Sequence, residues 1–175
     1  MVATARIIKQ EHPDASVVFI GPCASKKLEA SRRSVRSDVD FVITFEELTG
    51  MFEAKGILLE EIQAMDSMND ATAAGRGYGV AGGVASAIEA CIKEYYPDTE
   101  IHIEHAESLA ECKKMLMLAK AGKKNGCLIE GMACPGGCIA GAGTNIAIPA
   151  ATKELMNFKN ATERKLPDAD MRQPE

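Results

Sequence analysis

Positive charge is in short supply in this 175-residue chain: 20 Lys and Arg stand against 25 Asp and Glu, the formal net charge is −5, and aromatics make up only 5%. Affinity for a phosphate backbone rests on basic surface, so a nucleic-acid partner is excluded. The densest basic patch, Arg32, Arg33 and Arg36, reads as a solvated turn. No secretory signal is visible, because Arg6, Lys9 and Glu11 interrupt any apolar run at the N-terminus. The stretch from Gly131 to Thr152 has no charged residue and is long enough to span a bilayer. Pro135, Pro149, Asn145 and its many glycines nevertheless make it a poor membrane helix, and no membrane span is expected. An uncharged, cysteine-bearing loop is better suited to wrapping something inside the protein.

What is present is sulfur in two distinctive settings. Met132-Ala133-Cys134-Pro135-Gly136-Gly137-Cys138 sets two soft ligands four residues apart on a loop of Pro and Gly. Gly21-Pro22-Cys23-Ala24-Ser25-Lys26-Lys27-Leu28-Glu29 puts a third cysteine beside a lysine pair. The Cys-x-x-x-Cys spacing is not that of an ordinary zinc ribbon. Iron–sulfur clusters are held by thiolates, and a cluster carrying net negative charge needs cations and hydrogen-bond donors around it. Lys26 supplies the cation, and backbone N–H groups of Gly136, Gly137, Gly141 and Gly143 are the expected donors. A zinc-binding or merely thiol-rich module remains the competing reading. The sequence has six cysteines. A mixed α/β chain of this size does not need disulfides, so reduced thiols in the cytoplasm are expected.

A hydrophobic content of 46% supports a globular fold: one domain, or one lobe of a larger catalytic unit. A helix is expected through Glu11, followed by a turn at His12-Pro13-Asp14. Val17 to Ile20 reads as a buried strand that ends at Gly21-Pro22, and Val39 to Ile43 as a second. Thr44-Phe45-Glu46-Glu47 is a capping box opening a helix to about Lys55. Met65 to Gly79 reads as a polar connection. Val80, Val84, Ala87, Ile88, Cys91 and Ile92 recur at helical spacing, which makes Cys91 a core residue. Ile101 to Glu104 is a strand, Ser108-Leu109-Ala110-Glu111 a second capping box with a helix to about Ala121, and Cys127 to Glu130 the last strand. Cys112 and Cys127 read as packing residues, and His12, His102 and His105 as surface groups. Ala150 to Phe158 forms a closing helix, with a frayed tail from Ala161. Alternating strands and helices predict an α/β fold with a mostly parallel sheet covered on both faces. Both cysteine motifs follow apolar strands, so they are expected to converge beyond the strands' carboxyl ends.

The two signatures closely resemble the second and third cysteine signatures of the catalytic domain of iron-only (FeFe) hydrogenases. Val39-Asp40-Phe41-Val42-Ile43-Thr44 and Tyr78-Gly79-Val80-Ala81-Gly82-Gly83-Val84 look like family features in the same order. The likeness runs from about His12 to Thr144. It implies an H-cluster, a 4Fe-4S cubane joined through a cysteine sulfur to a two-iron subcluster, and reversible reduction of protons to dihydrogen. Carried over by motif, Cys23 and Cys134 ligate the cubane and Cys138 bridges it to the two-iron unit. Lys26 donates to a cyanide ligand, Met132 packs against the two-iron unit, and Pro22, Gly136 and Gly137 line the pocket.

The family's first signature, a Cys-Cys-Pro element supplying the remaining cubane ligand, has no counterpart here. Residues 1–160 are therefore expected to be a partial catalytic domain, one lobe of two, whose partner is the N-terminal half of the same protein; residues 161–175 are a flexible tail. Alone, the chain is expected to be inactive, without an assembled H-cluster, and open to self-association. A ferredoxin-type electron donor is the other implied partner. Gly21, where active members usually carry methionine, and Gly141-Ala142-Gly143-Thr144 in place of a longer glycine run resemble divergent, sensory-type members. The alternative function is thus a hydrogen sensor or a cytosolic iron–sulfur assembly factor.

Overall fold

The computed structural model describes residues 1–32, 34, 38–63 and 70–167. Arg33, Arg36, the start of the expected Met65–Gly79 connection and the last eight residues of the tail lie outside them. The chain divides into two compact units, one of Met1–Ala64 with Gly141–Asn145, the other of Met65–Ala140 with Ile146–Glu175.

In the first unit, α1 (Val2–Glu11) leads through the His12–Asp14 turn to β1 (Val18–Ile20), and α2 (Ser25–Ser31) carries the chain to β2 (Phe41–Ile43). The strands pair in parallel, Val18 with Phe41, Phe19 with Val42 and Ile20 with Ile43. Asp40 fastens this pair at its entry. Its carboxylate accepts the Val17 N–H at 2.7 Å and meets Lys9 Nζ of α1 at 2.9 Å. Val18 and Ile20, two apart and so on one face, are 44% and 45% exposed, and Phe41 beside them is 62% exposed. The strand is therefore not buried as its apolar run suggested, because a two-stranded sheet leaves two edges and, here, one open face. The box at Thr44 forms fully: its hydroxyl accepts the Glu47 N–H while the Glu47 carboxylate accepts the Thr44 N–H, opening α3 (Phe45–Ala54).

The second unit holds a separate parallel pair, β3 (His102–Glu107) and β4 (Cys127–Met132), joined by α6 (Leu109–Lys120) and preceded by α5 (Gly83–Tyr95). Parallel neighbours need such a helical crossover. The expected connection before α5 contains a short α4 (Ala73–Arg76), capped by Thr72 Oγ1 accepting the Gly75 N–H at 3.1 Å. The α/β class and parallel pairing match expectation, with the strands among the described residues distributed over two sheets of two.

After α7 (Ile148–Asn160), residues 161–167 do not fray. Ala73 and Ala74 N–H groups donate to the carbonyls of Arg164 and Lys165 at 2.8 and 3.1 Å, and Tyr95 Oη donates to the Pro167 carbonyl. Arg76 lies 3.8 Å over the Phe158 ring and donates to Thr162 Oγ1 at 2.8 Å. Backbone pairing and a cation–π contact, neither written in local composition, order this polar segment. No helix among the described residues is long and apolar enough to cross a membrane.

Candidate functional site

In the first unit β1 delivers the chain through Gly21 and Pro22 to Cys23. The Gly21 N–H donates to Ile43 O at 3.1 Å, extending the β1–β2 ladder by one bond, and the Pro22 carbonyl accepts the Gly143 N–H at 2.9 Å. Cys23 is half-buried at the entry to α2; its carbonyl accepts the Lys26 N–H at 3.2 Å and its Sγ lies 3.1 Å from Ser25 Oγ. Lys26 Nζ forms an ion pair with Glu29, one helical turn along. Lys27 turns to α3, where it pairs with Glu47 at 2.7 Å and donates to Val42 O at 3.3 Å. Lys27, with the Thr44 N–H, holds the Glu47 carboxyl below its ordinary range. The two adjacent lysines thus differ in role. Lys27 ties α2 to α3, whereas Lys26 pairs within α2.

In the second unit β4 runs into the paired-cysteine loop. Gly136 and Gly137 take φ of +94° and +97°, left-handed values that disfavour any side chain. A Cβ on Gly137 would lie 2.4 Å from Ala81 N and 2.6 Å from Val80 C, so backbone packs on backbone there. The Ala81 N–H donates to Gly136 O at 3.1 Å. Cys134 is half-buried and Cys138 is exposed at the start of a short helical turn, Cys138–Ala140. Met132, half-buried, closes β4; its carbonyl accepts the Ser108 N–H at 2.8 Å.

Three of the four expected glycine donors are already engaged. The Gly136 N–H donates to Glu107 Oε2 at 2.8 Å, the Gly137 N–H to Cys134 O at 3.0 Å, and the Gly143 N–H to Pro22 O at 2.9 Å. The sequence showed glycine-rich turns but not which acceptors would reach them.

Two carboxylates and a histidine were missed. Glu130, only 9% exposed, accepts the N–H groups of Gly82 at 2.6 Å, Val84 at 3.0 Å and Ala85 at 3.1 Å, and meets His105 Nδ1 at 3.2 Å. It satisfies the orphan donors at the start of α5 from a neighbouring strand. His105 is thereby a partner as well as a surface group. A lone acidic residue in the apolar run Cys127-Leu128-Ile129-Glu130 was the available signal, since a buried charge demands partners. Glu107 gave none. The Ser108 box is half-formed: Ser108 Oγ accepts the Glu111 N–H at 3.3 Å, but the Glu111 carboxylate takes the Glu107 N–H at 2.9 Å. The reason is that the Ser108 N–H is committed to Met132. Cys112 lies beneath the loop entry, its Sγ 3.6 Å from Ala106 O and 3.8 Å from Met132 O.

Cys23 with Lys26 belongs to the first unit, and Met132, Cys134 and Cys138 to the second. Among the described residues no group of three or more His, Cys, Asp or Glu gathers around a metal-sized space. All six cysteines are described, and none is in a disulfide. The donor chemistry fits a sulfur-ligated iron group: soft thiols, one beside a lysine, two on a turn whose shape is set by left-handed glycines.

The family described as iron only hydrogenase large subunit, C-terminal domain, matches residues 1–142. The periplasmic [Fe] hydrogenase large subunit of Nitratidesulfovibrio vulgaris is 29% identical over 175 residues, spanning 79% of this chain and 41% of that protein. Iron hydrogenase 1 of Clostridium pasteurianum is 29% identical over 159 residues, 72% of this chain and 28% of its own length. The chain therefore spans less than half the length of these curated relatives. Among solved structures, an [FeFe]-hydrogenase studied for oxygen inactivation of the H cluster superposes with a TM-score of 0.60 at 18% identity, over 97% of this chain and 60% of that one. The [FeFe]-hydrogenase HydA1 of Chlamydomonas reinhardtii gives 0.57 at 19% identity, over 93% of this chain and 59% of the other. At such identities these superpositions speak to the fold.

Proposed function

The chain belongs to the family of the iron-only hydrogenase large subunit, C-terminal domain, and from that membership we propose that it is part of an enzyme catalysing the reversible reduction of protons to dihydrogen. The observation that carries this reading is the third signature. Cys134 and Cys138 bracket two left-handed glycines, the second pressed on the backbone of residues 79–81. That turn fixes the backbone between the two cysteines, which supports the reading.

When bound, the H-cluster supplies the hydrogen chemistry itself, from a 4Fe-4S cubane joined to a two-iron subcluster. In this reading Cys23 and Cys134 would hold the cubane, and Cys138 would be a ligand shared with the two-iron unit. Lys26 offers three donors, of which Glu29 engages one, leaving others for an anionic ligand. Met132 would pack against the two-iron unit, and Pro22, Gly136 and Gly137 would line its pocket. The remaining cubane ligand would come from an N-terminal part of the parent protein bearing the first signature. A ferredoxin-type carrier in the cytoplasm delivers electrons. The 175-residue chain alone is inactive in this reading, and its open Val18, Ile20 and Phe41 face favours self-association, which concentration-dependent sedimentation tests.

A second reading, a hydrogen sensor or iron–sulfur assembly factor, is favoured by Gly21. A Cβ there would lie 2.9 Å from the Phe19 ring, so the ring occupies room that a larger residue at this position would need.

Anaerobic reconstitution of the full-length parent, with iron counting and a hydrogen-evolution assay, separates the readings. Iron with hydrogen evolution supports the enzyme. Iron without turnover supports the sensor or assembly factor, and zinc at one per chain without iron overturns both.

A further inference from the structure

Ser108 is the one residue other than glycine with positive φ among the described residues, at φ 92° and ψ 154°. That region is essentially reserved for glycine, and an occupant with a side chain is held there only by its surroundings. The surroundings are the cysteine loop. The Ser108 N–H donates to the Met132 carbonyl at 2.8 Å, and the carboxylate of the preceding residue, Glu107, accepts the Gly136 N–H at 2.8 Å. Glu107 and Met132 are register partners at the ends of β3 and β4, so one strand end grips the loop where it leaves the other and again four residues later. The Glu107 backbone is held in turn by its own N–H, which donates to Glu111 Oε2 at 2.9 Å from the first turn of α6.

We propose that Glu107 is a positioning residue for the Cys134–Cys138 loop: it fixes Gly136 between the two cysteines and places a fixed negative charge beside the sulfur site, lowering the reduction potential of the iron–sulfur group held there. The proposal rests on the reading above for its redox part and on the hydrogen bond alone for its positioning part. The physical reasons are two. A carboxylate near a cluster disfavours adding an electron, and a backbone N–H engaged by Glu107 is withdrawn from donating to cluster sulfur; both drive the potential down.

Two measurements test it, each on Glu107→Gln, which keeps an acceptor but drops the charge, and Glu107→Ala, which loses both. The first is hydrogen–deuterium exchange of the reduced 175-residue chain, read on the peptide covering residues 132–139. Glu107→Ala is expected to raise exchange of the Gly136 amide at least tenfold, with Glu107→Gln between it and the parent sequence. The second is an EPR-monitored redox titration of the reconstituted full-length parent. There Glu107→Gln is expected to move the cluster potential to more positive values at unchanged iron content, a shift that loop stability by itself does not produce. Unchanged exchange in Glu107→Ala overturns the positioning role, and an unchanged potential in Glu107→Gln overturns the electrostatic one. A parent that takes up no iron overturns the redox part through its premise, and the exchange result still decides the rest.

Discussion

The Glu130 carboxylate accepts the Gly82 N–H at 2.6 Å, so β4 caps α5 across a gap of 48 residues in the chain. The same carboxylate takes the N–H groups of Val84 and Ala85. Removing it strands several donors at a buried helix start, each costing about 1–3 kcal/mol. Glu130→Ala is expected to lower unfolding free energy by about 3 kcal/mol, and Glu130→Gln by roughly half that. Urea denaturation of the purified chain measures both, and equal stability of the alanine variant would remove the capping role.

At position 108 the usual ranking of glycine below alanine is expected to invert. Ser108→Gly relieves about 1–3 kcal/mol of backbone strain, against a few tenths for the lost cap and under about 1 kcal/mol of added unfolded-state entropy. Net stabilisation of about 1 kcal/mol follows. Ser108→Ala keeps the strain and loses the cap, so it falls below the parent sequence. Paired thermal melts show the order of the three.

Gly137→Ala asks for a Cβ at φ +97° and 2.4 Å from Ala81 N. Backbone cannot step aside as a side-chain tip does. A loss of about 3 kcal/mol or more is expected, together with poor iron uptake in the reconstituted parent. Gly50, with nothing within 4 Å of its Cβ position, provides the control, since Gly50→Ala should be tolerated.

Acid is expected to loosen the first unit. The Val17 N–H and then Lys9 hold Asp40 below its ordinary 3.8, while Lys27 and then the Thr44 N–H hold Glu47 below 4.5. Both carboxyls are depressed on folding, so their contribution is complete above the unfolded-state values. It is lost as pH falls through the folded ones. Urea midpoints between about pH 6 and pH 3 should drop for the parent chain. In Asp40→Asn the drop should be shallower, and identical slopes would show that Asp40 contributes nothing.

Local signals were legible where the physics is local. The Thr44–Glu47 box forms as written because both partners lie within one turn, and β1 ends at Gly21-Pro22 because proline cannot extend the ladder. The Ser108 box read the same on paper yet half-formed, since a strand more than twenty residues away claimed its backbone N–H. Residues 161–167 looked frayed by composition but are pinned by partners near residue 73.

By itself, the sequence determined which residues carry sulfur, where glycine permits a left-handed turn, and the alternation of strands and helices, because softness, φ freedom and periodicity are properties of a residue and its near neighbours. Only the tertiary structure decided that the strands form two separate pairs, that Glu107 and Glu130 bind the glycine N–H groups around the loop, and that Lys26 and Lys27 part company. Those outcomes depend on which donor finds which acceptor, a choice made by packing across dozens of residues.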